Sequence, residues 1–134
     1  MRAFCLGRWT AVALWTAVIL LSSSDSFAST ETGGVLARLL GPHVSAETLA
    51  TINFLIRKAA HVVAYGILGA LAWRAAGRAG VAMLIVLVVA TVDEWHQSTT
   101  ALRSGSPWDV LLDLAGAAIA ISLGLRWQSR RVRR

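Results

Sequence analysis

The stretch PWDVLLDLAGAAIAISLGL, residues 107–125, decides how the chain is read. It is apolar enough for a membrane segment, yet Asp109 and Asp113 stand near its start. On a helix the two acids lie four apart on one face, and Gly116 continues that face. Six residues of rise from Pro107 place Asp113 about 9 Å along the segment. An ionisable side chain at membrane depth costs at least ~2.5–3.5 kcal/mol on the most lenient insertion scale, so it is retained for a partner or a function. Ser106-Pro107-Trp108-Asp109 also has the composition of a helix start, with Ser at the N-cap, Pro at N1 and an acid at N3. Asp109 therefore has two readings, as a helix-start acid and as a site residue. Asp113 is too deep for the first of these; it is either half of a structural pair, with Arg103 or a neighbouring helix, or a ligand.

Working towards the N-terminus, three more apolar stretches appear: WTAVALWTAVILL (9–21), AAHVVAYGILGALAW (59–73) and AGVAMLIVLVVATV (79–92). Of the 134 residues 56% are hydrophobic and 15% charged, and mean hydropathy is +0.62. That composition points to a membrane protein rather than a soluble domain of this length. The strictly apolar runs are short against the ~20 residues a spanning helix needs, so a soluble helical bundle is the competing reading. Two patterns oppose it. Trp9, Trp73, Trp95, Trp108 and Trp127 each lie near an end of an apolar stretch, where amphipathic rings meet headgroups. Counting these flanks gives spans of roughly 9–24, 55–76, 78–97 and 107–127.

The second pattern is charge. With the N-terminus inside, the inner segments hold Arg2, Arg8, Arg74, Arg78, Arg126, Arg130, Arg131, Arg133 and Arg134. The outer ones hold Arg38, Arg57, Lys58 and Arg103, together with all 7 acids. This is the positive-inside signature. The expectation is an all-α integral membrane bundle of about four transmembrane helices with short loops. It comprises a cytoplasmic N-terminus (1–8), a transmembrane domain (9–126) and a basic cytoplasmic tail (127–134). The tail, RWQSRRVRR, reads as an anchor beside anionic lipids; no base-reading module accompanies it, so no nucleic-acid partner is expected. Cys5 is the lone cysteine, which excludes a disulfide framework and a CxxC metal site. The first segment, followed by SSSDSFAS, also resembles a secretory signal cleaved after Ala28; the reading adopted is an uncleaved anchor. Residues 30–57 then lie outside, with an amphipathic piece, GVLARLLG, a breaker at Gly41-Pro42, and Ser45 as an N-cap from which a helix runs into the second span.

In this topology the polar groups of spans two to four gather at their outer ends. His61 and Tyr65 share a helix face, with Gly69 on the same face to admit a neighbouring helix. Asp93 and Gln97 are four apart, Glu94 and Gln97 three. Asp93 and Glu94 sit at a helix C-terminus, where the macrodipole disfavours acids by ~0.3–1 kcal/mol each. Arg57 and Lys58 could balance them across the helices. His61, His96, Glu94 and Asp113 offer nitrogen and oxygen ligands, but their spacing is no known metal motif and no HExxH occurs, so no metal or cofactor is expected. No side chain stands out as a nucleophile.

Taken together, Lys58, His61, Tyr65 and Gly69, then DEWHQ, then RSGSPWDVLLDLAG resemble the VanZ-like family of bacterial membrane proteins. The Ser-rich LSSSDS after the first apolar run is similar to the family's exit from its first span. The resemblance covers most of residues 8–125. It implies a multi-span protein of the bacterial cytoplasmic membrane, with both termini cytoplasmic, and its namesake is associated with low-level teicoplanin resistance. It brings no established catalytic mechanism. The site residues it carries over are Lys58, His61 and Tyr65, then Glu94 and Gln97, then Arg103, Asp109, Asp113 and Gly116. The chain departs from the pattern at Arg57, where an acid often precedes the lysine, and at Ala120, where a second glycine is common. The expected function is binding of a polar headgroup or lipid-linked cell-wall intermediate at an outward-facing charged pocket among spans two, three and four. Alternatives are a membrane enzyme using His61 and a buried carboxylate, and a purely structural subunit.

Overall fold

The computed structural model describes residues 2–23, 29–41, 43–99 and 106–132. All of the regular structure in them is helical: α1 (Arg2–Ser22), α2 (Ser29–Leu40), α3 (Ala46–Ala76), α4 (Ala79–Ser98) and α5 (Pro107–Val132). Three of these, α3, α4 and α5, are long and apolar enough to cross a membrane, and α1 adds a shorter apolar helix over Gly7–Ser22. The two glycines with positive φ end helices. Gly41 at 77° closes α2, and Gly77 at 69° closes α3 with its N–H on the Trp73 carbonyl. A left-handed residue at that point suits glycine because it has no Cβ to clash.

The α3 start is where the sequence places it. Ser45 is the N-cap, its hydroxyl accepting from the Thr48 N–H at 3.2 Å, with Glu47 in the first turn. The helix runs unbroken through Arg57 and Lys58, so these cations do not sit at a helix start.

Small residues make up much of the interior, around larger side chains such as Leu68 and Val86. Ala72, Ala82, Ala90 and Ala117 are fully buried. Many large apolar side chains face outwards, among them Leu14, Val63, Ile67, Leu84, Val88, Leu111, Ile119 and Leu123. A soluble monomer rarely exposes apolar surface on this scale. In lipid the distribution is the favourable one, because close backbone approach and van der Waals contact drive association there. The helices α3 and α5 approach most closely. A Cβ on Gly69 would lie 2.7 Å from the Ala117 Cβ, and one on Gly116 would run into the Val62 carbonyl oxygen.

The first helix packs antiparallel to α3. Trp15 Nε1 donates to the Ala64 carbonyl at 2.9 Å near the middle, and Arg8 donates to the Arg74 carbonyl at 3.2 Å near one end. Val12 and Ile19 complete this contact within the core.

Candidate functional site

One end of the bundle gathers the polar residues. The second half of α4, the first two turns of α5 and the middle of α3 meet there, and the C-terminal turn of α1 closes the side. Asp93 and Asp113 are 0% exposed, and Glu94 and Gln97 nearly so. Charges withdrawn from water this far need a partner or a bound ion.

The contacts form a chain across the helices. Tyr65 on α3 donates its hydroxyl to Asp93 Oδ2 at 3.0 Å, and Gln97 Nε2 donates to the same oxygen at 3.1 Å. His61 Nδ1 lies 3.2 Å from Asp113 Oδ1. The His61 and Tyr65 rings, one turn apart, are stacked with centroids 6.1 Å apart. Lys58 pairs with Asp109 and also stands over the Phe54 ring. Glu94 Oε2 accepts from the Ser106 N–H at 2.7 Å, so a carboxylate of α4 caps the start of α5. An acid serving a neighbouring helix's N-terminus is stabilised there by the free N–H groups and the dipole.

Among the described residues, one carboxylate oxygen on each of Asp93, Glu94 and Asp113 has no hydrogen-bond partner: Oδ1, Oε1 and Oδ2, respectively. These are acceptors only, so what they lack is a donor or a cation. Among the described residues, one nitrogen or oxygen atom each from His61, Glu94 and Asp113 lies within 4.8 Å of the others.

Beside the cluster is a cavity of about 180 Å³. Ser22 and Ser23 of α1, Arg57, His61 and Tyr65 of α3, and Asp93 of α4 line it. It is too small for a whole glycolipid headgroup and large enough for one polar fragment. A larger cavity of about 670 Å³ lies at the opposite end among Arg8, Trp73, Arg74, Trp127 and Arg131. Its arginines are exposed and it holds no buried titratable group, so the chemistry belongs to the acidic end.

Lys58, His61, Tyr65, Glu94, Gln97, Asp109 and Asp113 are thus brought together as the sequence places them. Arg103 lies outside the described residues. The structure selects among the pairings the sequence leaves open. Asp113 meets His61, and Lys58 reaches across to Asp109 on α5 rather than to Asp93 or Glu94 on α4. Asp109 is accordingly an ion-pair partner, while the capping of α5 falls to Ser106 Oγ, which accepts from the Trp108 N–H at 3.3 Å, and to Glu94. The cavity is walled by α1, α3 and α4, not by the second, third and fourth spans, so Ser22 and Ser23 are site residues that the sequence reading missed. His96, a candidate ligand, is exposed and apart from the cluster. A comparison with known families now has a site to refer to: the VanZ/LLP1 family model matches residues 8–128.

The chain belongs to the VanZ/LLP1 family. Neither a curated protein nor a solved structure matches it. The matched range runs from α1 into the last turns of α5, so every residue of the acidic cluster lies within the VanZ/LLP1 region.

Proposed function

We propose that this VanZ/LLP1 protein sits in the bacterial cytoplasmic membrane with its acidic end outwards and binds the polar headgroup of an envelope lipid there. The observation that carries the reading is the meeting of Arg57 and the His61, Tyr65 and Asp93 side chains on one small cavity at the end of the spans. A lipid-linked cell-wall intermediate is the headgroup class that fits both the site and the glycopeptide association of the family's namesake. Arg57 meets the phosphate, as a guanidinium suits an anionic group with several acceptor oxygens. Asp93 Oδ1 takes a hydrogen bond from a sugar hydroxyl or amide, which fills an acceptor the fold leaves open. The cavity takes one fragment of the headgroup, and the rest stays at the membrane surface.

Asp113→Asn tests this reading in cells. It keeps the side-chain volume and removes the charge opposite His61. With protein abundance matched to wild type, glycopeptide tolerance falls at least several-fold if the site acts on a cell-wall intermediate. Unchanged tolerance at equal abundance counts against it. Loss of abundance alone is the result a purely structural charge network gives.

The His61–Asp113 contact also favours a second reading, acid–base chemistry on the same class of lipid, because a carboxylate that orients an imidazole is a general-base arrangement. Purified protein incubated with polyprenyl-phosphate lipids decides it by product formation, and no product at any lipid concentration sinks it.

A further inference from the structure

His61, Glu94 and Asp113 come from three different helices, α3, α4 and α5, and present donor atoms to one point inside the bundle. We propose that they form a binding site for a divalent transition cation, Zn²⁺ or Mn²⁺. The proposal shares these residues with the headgroup reading but does not depend on which lipid, if any, is bound.

The geometry is the first support. The three donor atoms lie within 4.8 Å of one another. Ligands about 2.0–2.2 Å from a tetrahedral cation are themselves about 3.3 Å apart, so rotations about side-chain bonds close the triangle without moving a helix. The second support is independent of the clustering. Asp113 is 0% exposed and Glu94 6%, and each has an oxygen with no hydrogen-bond partner, Asp113 Oδ2 and Glu94 Oε1. An acceptor in that position is costly unless something positive or donating reaches it.

Asp113 Oδ1 and His61 Nδ1 stand 3.2 Å apart, close to the separation of two ligands on one cation, and the second oxygen of Glu94 is already held, Oε2 taking the Ser106 N–H. Metal-binding groups are commonly fixed in this way, with one atom on the metal and the other on an orienting hydrogen bond. Charge agrees as well. Lys58 is engaged by Asp109, so a neutral imidazole and the two ligand carboxylates carry two negative charges that one divalent cation cancels, and the buried Asp93 carboxylate, held by Tyr65 and Gln97, adds a further negative charge beside them. The donor set selects among cations. One imidazole with two carboxylates suits Zn²⁺ or Mn²⁺, whereas Mg²⁺ and Ca²⁺ take oxygen ligands.

The test uses the full-length protein in lipid nanodiscs, tag removed and stripped with chelator. Zn²⁺ and Mn²⁺ are titrated by calorimetry, and Co²⁺ is added for its absorption spectrum. The expected result is one equivalent bound by wild type. Affinity falls at least about 10-fold in His61→Gln and Glu94→Gln and is unchanged in His96→Gln, whose histidine is exposed. Where a variant fails to fold, wild type decides alone. Co²⁺ bands of four- or five-coordinate nitrogen–oxygen ligation support the site, and the spectrum of the hydrated ion overturns it. Saturation failing at 1 mM metal (roughly, the weak end of biological cation sites) also overturns it, as does binding that ignores His61 and Glu94. Lipid binding is measured on the same samples with and without chelator. Protein that binds lipid but takes up no metal sinks the cation site and leaves the headgroup reading standing; protein that takes up metal but binds no lipid does the reverse.

Discussion

Gly116 shows how narrowly the α3–α5 contact is drawn. Its place opposite the Val62 carbonyl allows no side chain, since a Cβ there would run into backbone, which cannot step aside as a flexible side chain can. Gly116→Ala therefore separates α3 from α5 at the level of His61 and Asp113. The expected cost is about 1–3 kcal/mol, the range for overfilling a packed interior, read as a lower unfolding midpoint in detergent. Gly80→Ala is the control, because open space surrounds that position, and it leaves the midpoint unchanged or slightly raised. Equal midpoints for the two variants would mean that α3 and α5 do not meet as described. Tyr65 invites a parallel experiment. Its hydroxyl is one of two donors on Asp93 Oδ2, and Tyr65→Phe removes it with little change of shape. The expected loss is about 1–2 kcal/mol, the value of an interhelical hydrogen bond in model membrane peptides. No loss on the same unfolding assay would show that Gln97 alone satisfies Asp93.

At the scale of whole helices, α1 has the most to settle. Its core contacts at Val12 and Ile19, the Trp15 bond to Ala64 and the Ser22–Ser23 wall of the cavity make it a component of the bundle. The cleavage site after Ala28 lies outside the described residues. Intact-mass measurement of protein purified from membranes is expected to give a chain that still contains α1; a mass beginning at Ser29 would remove one wall of the cavity. This helix also marks where the sequence stops being readable. Periodicity and Trp flanks locate helices because they are properties of one segment at a time, and they located α3, α4 and α5 well. Spacing of four put His61 with Tyr65 and Asp93 with Gln97 for the same reason. Which face of one helix meets which face of the next depends on rotation about each axis and on how closely backbones approach. Neither quantity is written in a single segment. Spacing accordingly leaves Asp113 open to Arg103 or any neighbouring helix, leaves Lys58 among the acids of α4 and α5, and gives α1 no part of the site. The capping of α5 by Glu94 joins residues 12 apart in the sequence, and no local capping pattern encodes it.

Taken whole, the molecule is polarised. Arg8, Arg74, Arg78, Arg126, Arg130 and Arg131 lie at one end, and Asp93, Glu94, Asp109 and Asp113 towards the other. From Arg78 to Asp93 along α4 and from Asp113 to Arg126 along α5, the two sets are about 20 Å apart in axial rise. Arginines resist transfer across the membrane far more than acids do, so the expected orientation keeps the arginine end inside and the acidic end outwards. Single cysteines in a Cys5→Ser background test this directly. Ala50→Cys lies on the exposed side of the first turns of α3, and Gly80→Cys in the first turn of α4 at the arginine end. A membrane-impermeant thiol reagent applied to intact spheroplasts is expected to label the cysteine at position 50 and to spare that at position 80 until the membrane is opened. The reverse pattern would turn the His61–Asp93–Asp113 end towards the cytoplasm. A headgroup exposed only on the outer face could not then reach Arg57, and the proposed function would have to move to lipids of the inner leaflet. The cation site would survive that inversion, because its three ligands are held by packing inside the bundle and not by the side of the membrane they face.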